Sequence, residues 1–212
     1  MPPETGGEGS AAPTRAEWDR RYAAAGLLWT AEPNRFLVAE AEGLTPGRAL
    51  DLASGEGRNA VWLAAAGWRV TAVDFSGVAL AKARALAAAR GVEVEWVQAD
   101  LRELRPARRA FDLVAVLYLQ VPAAERREIL ARAAEAVAPG GTLLLVAHDE
   151  RNLTEGHGGP RDPALLTTPE AVAAELPGLV VERAERVRRP VAGAPRDAID
   201  TFVRARRPGA GG

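Results

Sequence analysis

The chain has 212 residues, 48% of them hydrophobic, and a net charge of −1. This fits one domain with a substantial core and leaves no electrostatic footprint for a nucleic-acid partner. It contains no cysteine, which excludes disulfides, thiol catalysis and thiolate metal sites. The N-terminus, MPPETGGEGSAAPT, has no apolar core for a signal peptide, and no stretch is long enough to span a bilayer. A cytoplasmic protein without a membrane partner is expected.

In chain order, residues 1–13 and 208–212 are rich in Gly and Pro and lack apolar periodicity, so both are expected to be disordered tails. They flank one domain over residues 14–207. Helices are predicted over Arg15–Ala25 and Asn34–Glu42, joined by a loop carrying Trp29; residues 14–45 would form a helical cover. Strands follow at Arg48–Ala53, Arg69–Asp74, Val92–Val97, Phe111–Leu117 and Thr142–His148. Their short aliphatic runs, without clean alternation, suit strands buried on both faces. Between them lie helices at Asn59–Ala66, Gly77–Arg90 and Ala123–Ala138. The last has Ile129, Leu130, Ala133, Ala134 and Val137 on one stripe, Glu128 four residues before Arg132, and Pro139-Gly140-Gly141 as its stop.

Val180–Val191 and Ala198–Arg206 are strand-like runs with only Ala192-Gly193-Ala194-Pro195 between them, which reads as a hairpin. The fold class is therefore α/β: a Rossmann-like, doubly wound, mostly parallel seven-stranded sheet with a C-terminal antiparallel hairpin.

Ligands of such a sheet bind at the carboxyl ends of its strands. Asp51 closes the first strand, Asp74 the second, and Asp100 follows the third. Beside them runs Asp51-Leu52-Ala53-Ser54-Gly55-Glu56-Gly57-Arg58-Asn59-Ala60, a turn whose glycines let a backbone approach a ligand in front of a helix N-terminus. Singly, Asp74 and Asp100 could just as well cap turns, since Asp favours such positions. Three acids at successive strand ends point instead to one binding site. Gly55 to Ala60 also fit the loose dinucleotide pattern G-x-G-x-x-A, so NAD(P) and S-adenosylmethionine compete as cofactor. A carboxylate at Asp51 would repel a diphosphate and suits a cationic sulfonium and ammonium. The short C-terminal region leaves little room for a dehydrogenase's catalytic domain.

With Asp51–Asn59, Val73-Asp74-Phe75-Ser76, Gln98-Ala99-Asp100-Leu101, Phe111-Asp112-Leu113-Val114 and Pro139-Gly140-Gly141, the chain resembles the class I S-adenosylmethionine-dependent methyltransferases over about residues 15–207. Within them it looks nearest the small bacterial tellurite-resistance and thiopurine methyltransferases. One departure is Ala53, where the family has its first loop glycine. The resemblance implies S-adenosylmethionine as cofactor and S-adenosylhomocysteine as product. It implies that Asp51, Ala53, Gly55 and Gly57 form the wall beside the methionine part, with Asn59 and Ser76 at the same loops. Asp74 would take the ribose hydroxyls, Phe75 the adenine face, and Asp100 and Leu101 the adenine edge. Leu117 and Tyr118 would line the floor near the methyl group. Tyr22 and Trp29 would belong to the cover, though aromatics there could equally be core packing.

The acceptor is less legible. The Asn/Asp-Pro-Pro-aromatic motif of nucleic-acid amino methyltransferases is replaced by Leu117-Tyr118-Leu119-Gln120-Val121-Pro122, so a small-molecule substrate is expected. A polar loop over Asp149–Thr168 could form a substrate lid. His157 within it is a candidate base, its imidazole suited to proton transfer near neutrality, or simply an exposed loop residue; Tyr118 is the other candidate catalytic residue. His148 reads as the end of a strand, and two histidines without a carboxylate cluster give no metal site. An oxidoreductase and a non-catalytic S-adenosylmethionine-binding protein stand as alternatives. Nothing in the residues speaks to oligomeric state.

Overall fold

The computed structural model describes residues 12–24 and 26–209. Most of the expected N-terminal tail, Ala25 at the predicted end of the first helix, and residues 210–212 lie outside them.

The cover helices are α1 (Arg15–Tyr22) and α2 (Arg35–Ala41). Thr14 and Glu17 form a capping box on α1, and the Asn34 side chain accepts from the Phe36 and Leu37 amides to start α2. The sheet begins with β1 (Arg48–Leu52), then α3 (Arg58–Ala65), β2 (Arg69–Asp74), α4 (Gly77–Arg90) and β3 (Glu95–Gln98). It continues through β4 (Phe111–Leu117), α5 (Ala123–Ala136), β5 (Val137–His148), the short helices α6 (Asn152–Glu155) and α7 (Pro169–Ala174), β6 (Val180–Arg189) and β7 (Ala198–Arg206).

The seven strands order as β3-β2-β1-β4-β5-β7-β6. Pairing is parallel through β5, and β7 runs antiparallel to both β5 and β6, as the hairpin reading expects. The strand order reverses between β1 and β4, which places the ligand crevice outside the ends of those strands. Two apolar layers fill the faces. Leu50, Leu52, Val114 and Leu145 pack under α5 on one side, while Leu63, Leu113, Leu144 and Phe202 pack with α2 and α3 on the other.

Two segments depart from the sequence reading. Pro139-Gly140-Gly141 does not stop α5, which already ends at Ala136; it lies within β5. Phe111 pairs with Val137 but Leu113 with Thr142, so β5 bulges there. Gly140 takes φ +78°, and a Cβ on Gly141 would lie 2.9 Å from the Phe111 carbonyl. The region after β5, expected as a polar lid, instead folds into α6, a 3₁₀ turn at Pro163–Leu165, and α7. Asn152 anchors it, accepting from the Ile199 amide at 2.8 Å and donating to the Gly158 carbonyl at 2.7 Å. Among the described residues no helix is long and apolar enough to cross a membrane.

Candidate functional site

A cavity of about 550 Å³ opens at the carboxyl ends of β1, β2 and β4, beneath the N-terminal cover. Its wall begins with the turn after β1. Ala53 holds φ +59° and Gly55 φ +54°, so the alanine sits in a left-handed conformation that costs an L-residue about 1–2 kcal/mol. That cost is the physical reason for the family's glycine at this position. Asp74 ties the turn to the end of β2: one carboxylate oxygen accepts from the Gly55 amide at 2.7 Å, the other from the Ser76 amide at 2.9 Å. Burial raises the Asp74 pKa and these amides oppose the rise. Asp74 is therefore both the turn cap and a cavity wall.

Of the residues singled out from sequence, Ala53, Gly55, Asn59, Asp74 and Phe75 line the cavity on its β1–β2 side. Asp100 and Leu101 line it after β3, Leu117 and Tyr118 after β4, and Tyr22 and Trp29 in the cover. Trp29 remains 47% exposed, so it roofs the cavity; Tyr22, at 6%, is also core, and stacks on Trp18.

Four do not join the lining. Asp51 lies inside β1, in register with Ala72 and Ala115, and is 1% exposed. Burial, with the Asp74 charge next, pushes its pKa up to about 7, opposed by the Arg58 charge and the Ala60 amide. Gly57 has a packing role: a Cβ there would lie 2.6 Å from the Trp96 ring and 2.7 Å from Ala83. Ser76 caps α4 at the Ala79 amide and donates to Asp19 at 2.5 Å. His157 is exposed and away from the cavity, because the loop around it is folded back by Asn152.

Asp100 faces the cavity, but Arg102 already holds it through its backbone amide and its guanidinium, at 2.5–3.0 Å. That side-chain hydrogen bonding lowers the Asp100 pKa. Reading an adenine edge with this carboxylate would mean sharing it with Arg102, while Arg132 takes the Leu101 carbonyl at 2.9 Å.

Contacts that sequence reasoning missed hold the cover down. Glu56, the residue between the two turn glycines, accepts from the Leu28 amide at 3.0 Å and the Trp29 amide at 3.1 Å. Lys82 of α4 pairs with Glu56 at 3.2 Å and donates to the Ala24 and Gly26 carbonyls. Asn59 accepts from the Asn34 amide at 2.8 Å. The turn after β1 and the start of α3 are thus bonded to both ends of the covering loop.

The other end of the cavity carries a polar cluster. Tyr118 takes φ +57°, its amide donates to the Val146 carbonyl at 2.7 Å, and its hydroxyl donates to Asp200 at 2.8 Å. Asp200 is fully buried and pairs with Arg189 at 2.7 Å; His148 Nδ1 lies 3.5 Å from it, and the His148 ring packs tilted against the Tyr118 ring. His148 and Arg189 line the cavity, as does Arg58. The signal for His148 was available: it ends a central strand on the ligand side of the sheet. Arg189 and Asp200 lie on the terminal hairpin, whose distance from the turn in sequence hid them.

Residues 49–141 match the family described as "Methyltransferase domain". This stretch, less than half of the chain, is similar to a methyltransferase domain, and S-adenosylmethionine is the cofactor that goes with it. This agrees with the sequence reading, which favours S-adenosylmethionine over NAD(P). The domain is 38% identical over 103 residues to demethylmenaquinone methyltransferase of Thermus thermophilus, covering 48% of this chain and 47% of that protein. It is 32% identical over 113 residues to ribosomal RNA small subunit methyltransferase C of Alcanivorax borkumensis, covering 50% of this chain and 33% of the relative. The match thus spans half or less of these curated relatives. The fold is similar to that of N-methyltransferase NodS of Bradyrhizobium japonicum solved with S-adenosyl-L-homocysteine. There the TM-score is 0.71 at 21% identity, over 92% of this chain and 99% of that one.

Proposed function

We propose that this chain moves the methyl group of S-adenosylmethionine to a small-molecule acceptor, within the group of small tellurite-resistance and thiopurine-like methyltransferases. The observation that carries the reading is the roofed cavity. Its cofactor half is walled by the β1 turn and Asp74, and its other half by Leu117, Tyr118, Leu119 and Val121. Trp29 and the covering loop lie over it, so the acceptor is enclosed rather than laid along an open groove. Methyl transfer from a sulfonium is an in-line displacement: the acceptor atom bonds the methyl carbon as the carbon–sulfur bond breaks, leaving S-adenosylhomocysteine. The protein's work is orientation and exclusion of water, and effective alignment supplies several kcal/mol of the barrier lowering.

In this reading Asp74 keeps lone pairs for the ribose hydroxyls while its amide partners fix its orientation. Phe75 and Leu101 flank the base, and Leu117 and Tyr118 bound the methyl group. His148, not His157, is the imidazole in reach of the acceptor.

The test is a screen of thiols, phenols and metalloid oxyanions for S-adenosylhomocysteine release, run beside labelled-methyl transfer to ribosomal RNA. Turnover with a small molecule is the expected result. Label in RNA with none in any small acceptor would overturn it.

A further inference from the structure

Two arginines from distant parts of the sequence line the cavity. Arg58 is the first residue of α3 and Arg189 the last of β6. The Arg58 side chain is half-buried, and its one hydrogen bond is to the Thr30 hydroxyl at 3.4 Å. No carboxylate lies within ion-pairing distance of it among the described residues. Burial lowers its pKa, with Arg189 adding to the fall and Tyr118, Asp51 and Glu56 opposing it, so the protein holds this cation against a desolvation cost. Arg189 is compensated by Asp200 at 2.7 Å, an acid that Tyr118 already engages. Asp200 is thus shared among Arg189, Tyr118 and His148, and Arg58 feels only the more distant charges of Asp51 and Glu56, in a partly desolvated place where a cation without a direct partner is costly.

Trp29, Leu119 and Val121 give the same cavity apolar wall. We propose that Arg58 and Arg189 bind an anionic group of the methyl acceptor, a carboxylate or phenolate carried on an apolar scaffold. An anion there supplies the charge that Asp200 leaves uncovered, and two guanidinium forks converging from different elements fix its orientation as one flexible cation would not. Tyr118 and His148 then stand between this anchor and the methyl group. The inference rests on the methyltransferase reading and adds the charge class of the acceptor. The competing occupant of Arg58 is the carboxylate of the cofactor itself, since Arg58 follows the cofactor turn directly.

The experiment uses the full chain saturated with S-adenosylhomocysteine and titrates benzoate against its neutral counterpart benzamide by calorimetry. Benzoate is expected to bind at least tenfold more tightly. That preference should fall below threefold in Arg58→Gln and in Arg189→Gln, with Arg189→Lys in between; thermal melts confirm that each variant is folded. Because the preference is first read on the unmodified protein, an unfolded variant does not leave the question open. Equal binding of the two probes, or no binding of benzoate, overturns the proposal. So does an Arg58→Gln variant that loses tenfold in S-adenosylhomocysteine affinity with the probe preference unchanged, which would assign Arg58 to the cofactor. Failure of S-adenosylhomocysteine to bind the unmodified chain strikes the methyltransferase reading itself and is distinguishable from all of these.

Discussion

The Tyr118 hydroxyl donates a 2.8 Å hydrogen bond to Asp200, a residue 82 positions further along the chain. The contact joins the loop after β4 to the antiparallel strand β7, and holds Tyr118 in a left-handed conformation that a bulky residue adopts only when its surroundings impose it. Burial and the Asp200 charge push the Tyr118 pKa up, so the phenol stays protonated and serves as a donor. Arg189 and His148 approach the same carboxylate. Asp200 is thus the hub of the Tyr118 end of the cavity, though it does not line it.

From this follows the first prediction. Asp200→Asn removes the charge that balances Arg189 and weakens the hold on Tyr118 and His148. Turnover is expected to fall at least tenfold, while S-adenosylhomocysteine affinity changes less than twofold, because the cofactor turn lies across the cavity. Steady-state kinetics beside a calorimetric titration check the split. An equal loss in both would mean that the cluster supports the whole site instead of its acceptor half.

Asp51 gives the second, through pH. Its pKa is about 7 in the folded chain against an ordinary carboxyl value of 3.8, so between about pH 4 and pH 7 the folded state binds the proton more tightly than the unfolded one. Stability from this group is therefore present at low pH and lost as pH rises through about 7. Asp51→Asn, which keeps the shape and cannot ionise, should raise the melting temperature relative to the parent at pH 8. At pH 5, where the parent carboxyl is protonated, the gain should shrink or vanish. Melts at the two pH values check this; a gain independent of pH would place the unfavourable charge elsewhere.

Much of this site was legible in the sequence because its determinants are local. The turn from Asp51 to Asn59, the acid ending β2 and the acid after β3 each sit a few residues from a strand the pattern already marks, and topology does the rest. What local pattern could not give is which groups are used up. Asp100 looks like a free acid until Arg102 is seen to hold it, and Ser76 is committed to α4 and Asp19. Gly57 fits a phosphate-binding pattern, yet its missing side chain makes way for Trp96, which is 39 residues ahead and contacts it only through β3 pairing with β2. His157 drew attention by residue type and loop composition, whereas His148, at a strand end, reaches the cavity. Arg189 and Asp200 come from the hairpin, whose register no motif encodes.

The third prediction follows from Gly57. It holds φ +80° and has Trp96 and Ala83 where a Cβ would go. Gly57→Ala combines the left-handed cost with overpacking, together about 2–4 kcal/mol of destabilisation. Denaturant unfolding should register that loss. If Gly57 instead serves the cofactor, stability would hold and S-adenosylhomocysteine affinity alone would drop. The companion change Ala53→Gly relieves left-handed strain at the neighbouring position, and should stabilise by about 0.5–1 kcal/mol after the added chain entropy of glycine is counted.

The cover provides the last. Glu56 is 4% exposed, and its two oxygens accept one amide each from Leu28 and Trp29, while Lys82 neutralises it and grips the Ala24 and Gly26 carbonyls. Glutamine cannot reproduce this arrangement: it offers one carbonyl oxygen, and its amide nitrogen would face a backbone N–H, donor against donor. Glu56→Gln therefore leaves a buried donor unsatisfied and Lys82 without its acid, at a cost of about 1–3 kcal/mol. That cost should fall mainly on the closed state of the loop, since β1, β2 and α4 keep their own packing. Amide exchange at residues 26–34 is expected to speed up several-fold with little change in α4, and S-adenosylhomocysteine should dissociate faster because its roof opens more often. Uniform acceleration across α4 and β2 would show that Glu56 braces the domain core. Unchanged exchange with unchanged dissociation would show that the roof is held by α1 alone, through Tyr22 and the Asp19–Ser76 bond.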